Sequence, residues 1–254
     1  MPGFDIIGSK EKAVAIVEIP EGVDEKEIAK EIMTKNKNVK SVLKKMSKRK
    51  GEYRLWELKL IAGEKNTEVV HKEYGYFLRL DPKKVYFSPR EATERQRIAS
   101  QVKENEIVML FFAGIGAQAV AIAKKQPKVK KIIGIEINPD AFYYMEENIR
   151  INKISHLVLP VLGDVKEKAK DFFKICDRVI MPLPLEAEKF LDSALNCLKE
   201  KGIIHFYSID SEDFNETIKK ISKKIKNFKI IKKNIVLPYA PRKFKVCIDF
   251  EVEK

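Results

Sequence analysis

A regular alternation of apolar and helical segments after residue 105 constrains the fold of this 254-residue chain more than any other feature. Five short apolar runs have the character of strands: EIVMLFFA (106–113), KKIIGIEI (130–137), LVLPVLGD (157–164), CDRVIMPLP (176–184) and GIIHFYSI (202–209). Segments with helical spacing separate them, as in PDAFYYMEENIRINK, where Pro139 suits a first helical turn. Apolar strands that alternate with helices are typical of a parallel sheet covered on both faces. The sequence therefore predicts a doubly wound α/β domain.

The first 84 residues follow a different pattern. AVAIVEI (13–19) indicates a strand, and EGVDEKEIAKEIMTKN (21–36) indicates a helix in which Asp24 and Glu27 resemble a capping box. Four later segments are strand-like and are broken by KRKG, GEKN and DPKK: VKSVLKKM, EYRLWELKLIAG, TEVVHKEYGYFLRL and KVYFSPR. A chain of this length commonly forms one medium and one small domain. We therefore expect a smaller α/β domain over residues 1–84 and a larger domain over residues 85–254.

The charge of the chain favours a polyanionic partner. Lys and Arg total 50 against 37 acidic residues, a net charge of +13, and each cation placed near a phosphate releases condensed counterions. The basic run 44–50 and the lysine-rich helix 219–226 are the candidate contributors. A generally lysine-rich proteome is the alternative explanation, and a charge run is often only a solvated face. Composition thus favours nucleic acid without requiring it.

Several classes of protein are excluded or disfavoured. The hydrophobic fraction of 44% is too high for a disordered chain. No stretch approaches ~18 uncharged apolar residues, so we expect no membrane span, and the N-terminal residues lack a signal-peptide pattern, so we expect a cytoplasmic protein. The cysteines form no CxxC pair and suit buried positions in a reducing compartment: Cys176, Cys197 and Cys247. The three histidines do not cluster at ligand spacing, so we expect no metal site.

A glycine-rich turn and two acids form an ordered set that suits a nucleoside cofactor. Gly114 and Gly116 follow the first strand and open a helix, where backbone can approach a ligand closely. Glu136 ends the next strand, where an acid can bind both ribose hydroxyls. NAD and S-adenosylmethionine both need these features. Asp164, after the third strand, suits an adenine amino group in a methyltransferase-type sheet and therefore favours S-adenosylmethionine over a dehydrogenase.

The chain resembles a known family along nearly its whole length. The blocks KGEYRLWELKLIAGEKN, HKEYGYFLRLD, KVYFSPREATERQRIA, FAGIGA, GIEINPDA, LGDVKE and YAPRKF are similar to those of the archaeal and eukaryotic tRNA (guanine-37) N1-methyltransferases. They also fit the related wybutosine-pathway aminocarboxypropyl transferases. The resemblance implies a Rossmann-like class I S-adenosylmethionine-dependent methyltransferase domain that carries a smaller N-terminal α/β domain. Because the chain starts at the block FDIIG, we expect it to lack the extra N-terminal domain with which archaeal members grip the tRNA corner.

The resemblance also implies catalytic roles. Arg54 matches the arginine that holds guanine O6, and Glu94 matches the proposed general base. Because guanine N1 loses its proton as it attacks the methyl group, negative charge develops at O6, and a carboxylate near N1 and a guanidinium at O6 suit that transition state. Ordinary salt bridges are the alternative, with Glu94 paired to Arg97 or Arg90 and Arg54 paired to an adjacent glutamate, Glu52 or Glu57.

The same resemblance implies a set of residues around the cofactor, namely Arg90, Phe112, Gly114, Gly116, Glu136, Asp164 and Pro184. Two positions depart from the family pattern. Leu110 replaces the acid that normally helps to hold the methionine amino group, and Pro182 replaces the asparagine that helps to position guanine.

We expect an enzyme that uses S-adenosylmethionine to methylate N1 of guanosine 37 in tRNA, with the anticodon stem-loop as its partner. Two alternatives stay open. One is aminocarboxypropyl transfer to a wyosine precursor at the same position. The other is a degenerate, non-catalytic RNA-binding paralogue, which Leu110 and Pro182 would favour. The oligomeric state stays open as well.

Overall fold

The computed structural model describes residues 3–47 and 51–254. The N-terminal region is a four-stranded sheet with one helix on one face, and its elements are β1 (Phe4–Gly8), β2 (Ala13–Val17), α1 (Glu25–Lys35), β3 (Val39–Lys45) and β4 (Leu58–Gly63). The strand order is β1-β2-β3-β4, so β4 is an edge strand. Asp24 caps α1 as predicted, because its carboxylate accepts hydrogen bonds from the backbone N–H groups of Lys26 and Glu27.

A hairpin and a short helix connect this sheet to the rest of the chain: β5 (Val69–Glu73), β6 (Tyr76–Leu80) and α2 (Ala92–Ala99). Asn148 and Asn152 bind the hairpin through their side chains, which both donate to and accept from the backbone of Arg79 and Phe77. These amides supply the hydrogen bonds that a further strand would otherwise provide.

The C-terminal region is a seven-stranded sheet with the order β12-β13-β11-β10-β7-β8-β9. Its elements are β7 (Ile107–Phe111), α3 (Ala117–Lys125), β8 (Lys131–Glu136), α4 (Pro139–Ile151), β9 (Val158–Leu162), α5 (Val165–Lys168), β10 (Cys176–Met181), α6 (Leu191–Cys197), β11 (Leu198–Asp210), α7 (Asn215–Ser222), β12 (Phe228–Ala240) and β13 (Lys243–Glu253). β7 to β11 run parallel, and β13 is antiparallel to both of its neighbours. The predicted doubly wound α/β fold is confirmed.

One apolar core joins the two sheets. Ile7, Val14, Ile16 and Leu43, from the face of the N-terminal sheet opposite α1, belong to the same buried cluster as the hairpin, α2, α3 and α4. The domain boundary expected at residue 84 stays a prediction, and the hairpin before it packs against the C-terminal region. All three cysteines are buried, as expected. In the described part of the chain, no helix is long and apolar enough to cross a membrane.

The strand predicted for KVYFSPR is wrong. Residues 82–88 form a turn and a stretch of backbone without a strand partner, followed by a short 3-10 helix at Pro89–Glu91. The residues have high β propensity, but a strand also needs a neighbour to complete its hydrogen bonds, and here the side chains of Val85 and Phe87 enter the core instead. The strand β1 was not predicted, because FDIIG is too short for a clear alternation.

Candidate cofactor and substrate site

The carboxyl ends of β7 and β8 meet at Glu136. One of its carboxylate oxygens accepts a hydrogen bond from the backbone N–H of Gly114 at 2.7 Å, and the other accepts one from Asn138 at 2.8 Å. Burial raises the pKa of Glu136 and outweighs these two hydrogen bonds, which lower it. A carboxylate has about four acceptor positions, so Glu136 is a buried acid that retains capacity for further hydrogen-bond donors.

The two glycines of the turn after β7 have different surroundings. Both have left-handed backbone, with φ of 56° at Gly114 and 76° at Gly116. A Cβ at Gly116 would lie 2.8 Å from Met145 Cγ, so this glycine lets α4 approach the start of α3. A Cβ at Gly114 would meet nothing nearer than the Tyr86 carbonyl oxygen, at 4.0 Å. Gly116 therefore serves internal packing, whereas Gly114 borders open space in which a ligand can lie.

The end of β9 adds an exposed carboxylate to the same edge of the sheet. Gly163 donates its N–H to the Glu136 carbonyl at 2.8 Å, which joins the ends of β8 and β9. Asp164 caps α5 by accepting from Lys166 N through one oxygen at 2.7 Å. Phe112 also lies at this edge, with its ring 4.8 Å from that of Phe190 in an edge-to-face contact. The structure thus brings together the glycines, both acids and Phe112 predicted for cofactor binding.

Arg54 reaches from the N-terminal region to the loop that follows β10. Its Nη2 donates to the Leu185 carbonyl oxygen at 3.3 Å and lies 3.8 Å from a Glu186 carboxylate oxygen. Its ion pair is therefore with Glu186, and not with either adjacent glutamate considered from the sequence. A narrow cleft beside Arg54 is lined by Trp56 and Tyr86 among others, and the Tyr86 backbone borders Gly114. Arg54 thus lies between the post-β10 loop, which contains Pro182 and Pro184, and the glycine turn.

Glu94 lies in α2 and has all of its acceptor positions in use. One oxygen accepts from Arg97 at 2.8 Å and from the Tyr207 hydroxyl at 2.6 Å. The other oxygen accepts from Arg97 at 2.7 Å and from the Asn234 amide at 2.8 Å. Glu94 and Tyr207 are buried and Asn234 is half-buried. The salt bridge with Arg97, considered as an alternative from the sequence, is present.

The ion pair of Glu94 with Arg97 is part of a larger buried network. Arg97 also binds Asp249, Asp249 binds His205 at 2.7 Å, and His205 lies 2.7 Å from Arg178, which pairs with Glu106. A guanidinium can only donate, so His205 accepts from Arg178 at Nε2 and donates its Nδ1–H to Asp249. Burial lowers the pKa of His205 in spite of the neighbouring Asp249, which is consistent with this neutral form.

Three possible metal ligands meet in that network: His205, Cys247 and Asp249 have ligand atoms within 4.8 Å of one another. Two guanidinium groups already bind the same atoms, since Arg97 contacts Asp249 and Arg178 contacts His205. Like charges repel strongly in a buried site. We therefore assign these three residues to the buried network and not to a metal.

Two arginines beside Glu94 have other partners. Arg90, predicted to bind the cofactor, has an exposed side chain that donates to Asp5 of β1 at 2.6 Å. Arg95 is buried and forms a bidentate pair with Glu73 of the hairpin at 2.6 and 2.8 Å. Burial raises the pKa of Glu73, but its bonds with Arg95 and His71 outweigh that effect and lower the pKa to about 2.

Tyr207, Asn234 and the Arg97–Asp249 pair were not predicted from the sequence. One signal was available, because His205 and Tyr207 are polar residues two apart in an apolar strand and Asp249 interrupts another. Charged and polar residues in such positions require buried partners.

The comparisons with known proteins agree with this geometry. Residues 69–235 match the model of the TRM5/TYW2 methyltransferase domain, and residues 2–67 match that of the TYW2 N-terminal domain. The chain belongs to the TRM5/TYW2 methyltransferase family. Its family resemblance and its Rossmann-like methyltransferase fold, expected from the sequence, are confirmed.

Family members with two different named activities are similar to this chain. The tRNA (guanine(37)-N(1))-methyltransferase Trm5b of Pyrococcus abyssi is 42% identical over 98% of this chain and 74% of its own length. A tRNA(Phe) (4-demethylwyosine(37)-C(7)) aminocarboxypropyltransferase of Methanocaldococcus jannaschii is 35% identical over 94% of this chain and 96% of its own. Among solved structures, an archaeal Trm5 in complex with tRNALeu gives a TM-score of 0.87 at 40% identity, covering 99% of this chain and 72% of that one.

Proposed function

We propose that this chain uses S-adenosylmethionine to methylate N1 of guanosine 37 in tRNA, in the cytoplasm. The observation that carries the proposal is the position of Arg54. Its guanidinium lies at the loop after β10, and it lines a cleft together with Tyr86, whose carbonyl oxygen lies near Gly114. The similarity to Trm5b enzymes and to an archaeal Trm5 bound to tRNALeu supports the choice of reaction and substrate.

The edge of the sheet fits S-adenosylmethionine. Glu136 is a buried carboxylate with free acceptor capacity, suited to the ribose hydroxyls, and Gly114 borders open space. Asp164 is exposed at the end of β9, where it suits the adenine amino group. When bound, the cofactor supplies an electrophilic methyl group on its sulfonium. Phe112 and Pro184 would border it, while Leu110 is fully buried between β8 and β10 and offers no charge to the methionine amino group.

Arg54 would offset the charge that develops at guanine O6. Its present partners are one backbone carbonyl at 3.3 Å and one carboxylate at 3.8 Å. Both contacts are weak enough for a substrate oxygen to replace them. A guanidinium positioned at the oxygen where charge develops stabilises the transition state more than the ground state.

Glu94 would take the N1 proton only after it gives up one of its four hydrogen bonds. Asn234 is the donor that can leave at least cost, because it is half-buried and neutral, whereas Arg97 is charged and bidentate and Tyr207 is buried. The base assignment therefore rests on the displacement of Asn234 by the substrate. Arg97 would hold the carboxylate in its orientation through its two hydrogen bonds.

Aminocarboxypropyl transfer is the second candidate. The observation that favours it is the match of residues 2–67 to the TYW2 N-terminal domain model, together with the similarity to an aminocarboxypropyltransferase. Both reactions would use the same cofactor and the same position in tRNA, with guanosine as the acceptor in the first and 4-demethylwyosine in the second. They differ in the group that is added, so product mass separates them.

The deciding experiment incubates the protein and S-adenosylmethionine with a tRNA transcript that has guanosine at position 37. We expect a nucleoside heavier by one methyl group and no product when adenosine replaces that guanosine. A mass increase from the larger aminocarboxypropyl group on a 4-demethylwyosine-containing tRNA, with no methylation of guanosine, would favour the second candidate. Binding of cofactor and tRNA without any product would favour the non-catalytic alternative.

A further inference from the structure

The N-terminal region carries a basic groove that lies away from the cofactor site. It has a volume of about 500 Å³, runs between α1 and the edge strand β4, and is lined by Lys26, Lys30, Met33, Thr34, Lys37, Ile61 and Ala62. It lies on the α1 face of the sheet, the face that packs in a separate apolar cluster and not against the methyltransferase-type core. Neither Arg54 nor the glycine turn lines it.

The lysines of this groove differ from their neighbours in having no acidic partner. In the described ranges, Lys26, Lys30 and Lys37 are exposed and form no ion pair. Around them, Lys35 pairs with Glu31, and both Lys44 and Lys59 pair with Glu25. Glu25 and Glu31 of α1 therefore pair with lysines outside the groove, whereas the three groove lysines have no ion-pair partner among the described residues.

The spacing of these lysines suits a phosphate backbone. Lys26 and Lys30 are one helical turn apart, and Lys37 follows just beyond the end of α1. At a rise of 1.5 Å per residue the three span roughly 16 Å, and successive phosphates of a nucleic-acid strand lie only a few ångströms apart along its axis. Thr34 adds an exposed hydroxyl, and Ile61 and Ala62 give a smooth apolar floor against which ribose can pack.

The groove also lies at a suitable distance from the proposed guanine site. Trp56 lines the cleft beside Arg54, and β4 begins two residues later, at Leu58. Ile61 and Ala62 lie five and six residues after Trp56, which is at most roughly 16–20 Å along an extended chain. An RNA whose guanine lies at Arg54 can therefore continue around the edge strand β4 to the groove on the α1 face.

We propose that the groove between α1 and β4 binds the phosphate backbone of the tRNA substrate through Lys26, Lys30 and Lys37. This inference rests on the proposed function, because it takes tRNA as the partner. It adds an anchoring surface that is separate from the chemistry. Its contribution is to affinity, and it leaves the reacting atoms untouched.

The test compares two triple-alanine variants that remove the same charge. One replaces Lys26, Lys30 and Lys37. The control replaces Lys103, Lys125 and Lys128, which are exposed near the amino ends of β7 and β8, the opposite end of those strands from Glu136. Binding of a guanosine-37 tRNA transcript is measured over a range of salt concentrations. We expect the groove variant to bind roughly tenfold or more weakly and to reduce the slope of log affinity against log salt by about 2–3.

The control variant should stay close to wild type, and thermal melting of both should be unchanged. Equal loss of affinity in the two variants, or none in either, overturns the proposal. If the triple variant does not fold, the single variant Lys30→Glu replaces it in the binding measurement and should also bind tRNA more weakly than the wild type. Methylation at saturating tRNA separates this inference from the proposed function. If the wild type makes no product but the groove variant binds tRNA more weakly, the groove proposal holds and the proposed function is wrong. If the wild type is active but the groove variant binds tRNA as well as the wild type does, the proposed function holds and the groove proposal is wrong.

Discussion

Arg54 and Glu94, the two residues assigned to catalysis, lie in opposite surroundings. Arg54 belongs to the N-terminal region, is partly exposed, and has one carbonyl at 3.3 Å and one carboxylate at 3.8 Å. Glu94 is buried in α2 and accepts four hydrogen bonds of 2.6–2.8 Å. Arg54 can exchange partners at little cost, whereas Glu94 is fixed by the network around it.

The difference separates contacts that a substrate can replace at little cost from contacts on which the fold depends. A buried charge whose partner is removed is costly, because the remaining charge cannot regain its hydration. A half-exposed charge with weak contacts contributes little to stability but is free to meet a ligand.

Replacement of Arg97 by methionine should have the largest effect on stability. It leaves Glu94 and Asp249 buried without their shared cation, and we expect a loss of about 3–5 kcal/mol in the free energy of unfolding. Urea denaturation measures it. The matched variant Arg54→Met should change stability by less than about 0.5 kcal/mol. If the two variants were equally stable, the division between fixed and adaptable residues would be wrong.

Replacement of Arg54 should instead affect turnover. In single-turnover methylation at saturating tRNA, we expect Arg54→Ala to be slower by about 10²–10³-fold, the loss typical of one oxyanion-type donor. Arg54→Lys is the control, since it keeps the charge but not the bidentate geometry of the guanidinium. Its rate should lie between those of the wild type and Arg54→Ala. A rate that is unchanged while tRNA affinity falls would place Arg54 in binding and not in catalysis.

The buried ion pair of Glu73 with Arg95 allows the contribution of a fixed charge to stability to be tested through its pH dependence. The pKa of Glu73 is lowered from 4.5 to about 2, so its stabilisation is present above pH 4.5 and is lost as the pH falls towards 2. We expect Glu73→Gln to reduce stability by on the order of 2–3 kcal/mol at neutral pH. The difference from wild type should shrink as the pH approaches 2. A difference that does not vary with pH would contradict the lowered pKa.

The two glycines of the turn allow the smallest comparison. Alanine at either position costs about 1–2 kcal/mol for left-handed backbone, and at Gly116 it also meets Met145 Cγ at 2.8 Å. Gly116→Ala should therefore lower the melting temperature more than Gly114→Ala. Calorimetry with S-adenosylmethionine should show the reverse order, with the larger loss of affinity in Gly114→Ala. The same order in both measurements would mean that Gly114 does not border the cofactor.

The sequence pattern predicted those features of the fold that depend on interactions between residues close together in the chain. The apolar runs became strands, Asp24 became a cap and Pro139 opened α4, because these outcomes follow from local spacing and backbone preferences. The segment KVYFSPR is a case in which local sequence preference does not predict the structure. Its residues prefer extended backbone, but whether a partner strand lies beside them depends on the rest of the chain.

The sequence by itself determined where the residues predicted to bind the cofactor lie. Glu136 ends a strand, and Gly114 and Asp164 each follow one. The carboxyl ends of parallel strands meet at one edge, so the order of these residues along the chain sufficed to bring them together. Only the tertiary structure decided which groups donate hydrogen bonds to Glu94. Two of its donors, Tyr207 and Asn234, are 113 and 140 residues away, and Arg97 is shared with Asp249, 152 residues further on. Hydrogen bonds act over about 3 Å, so no pattern of neighbours along the chain can specify partners that meet only when α2 packs against the sheet.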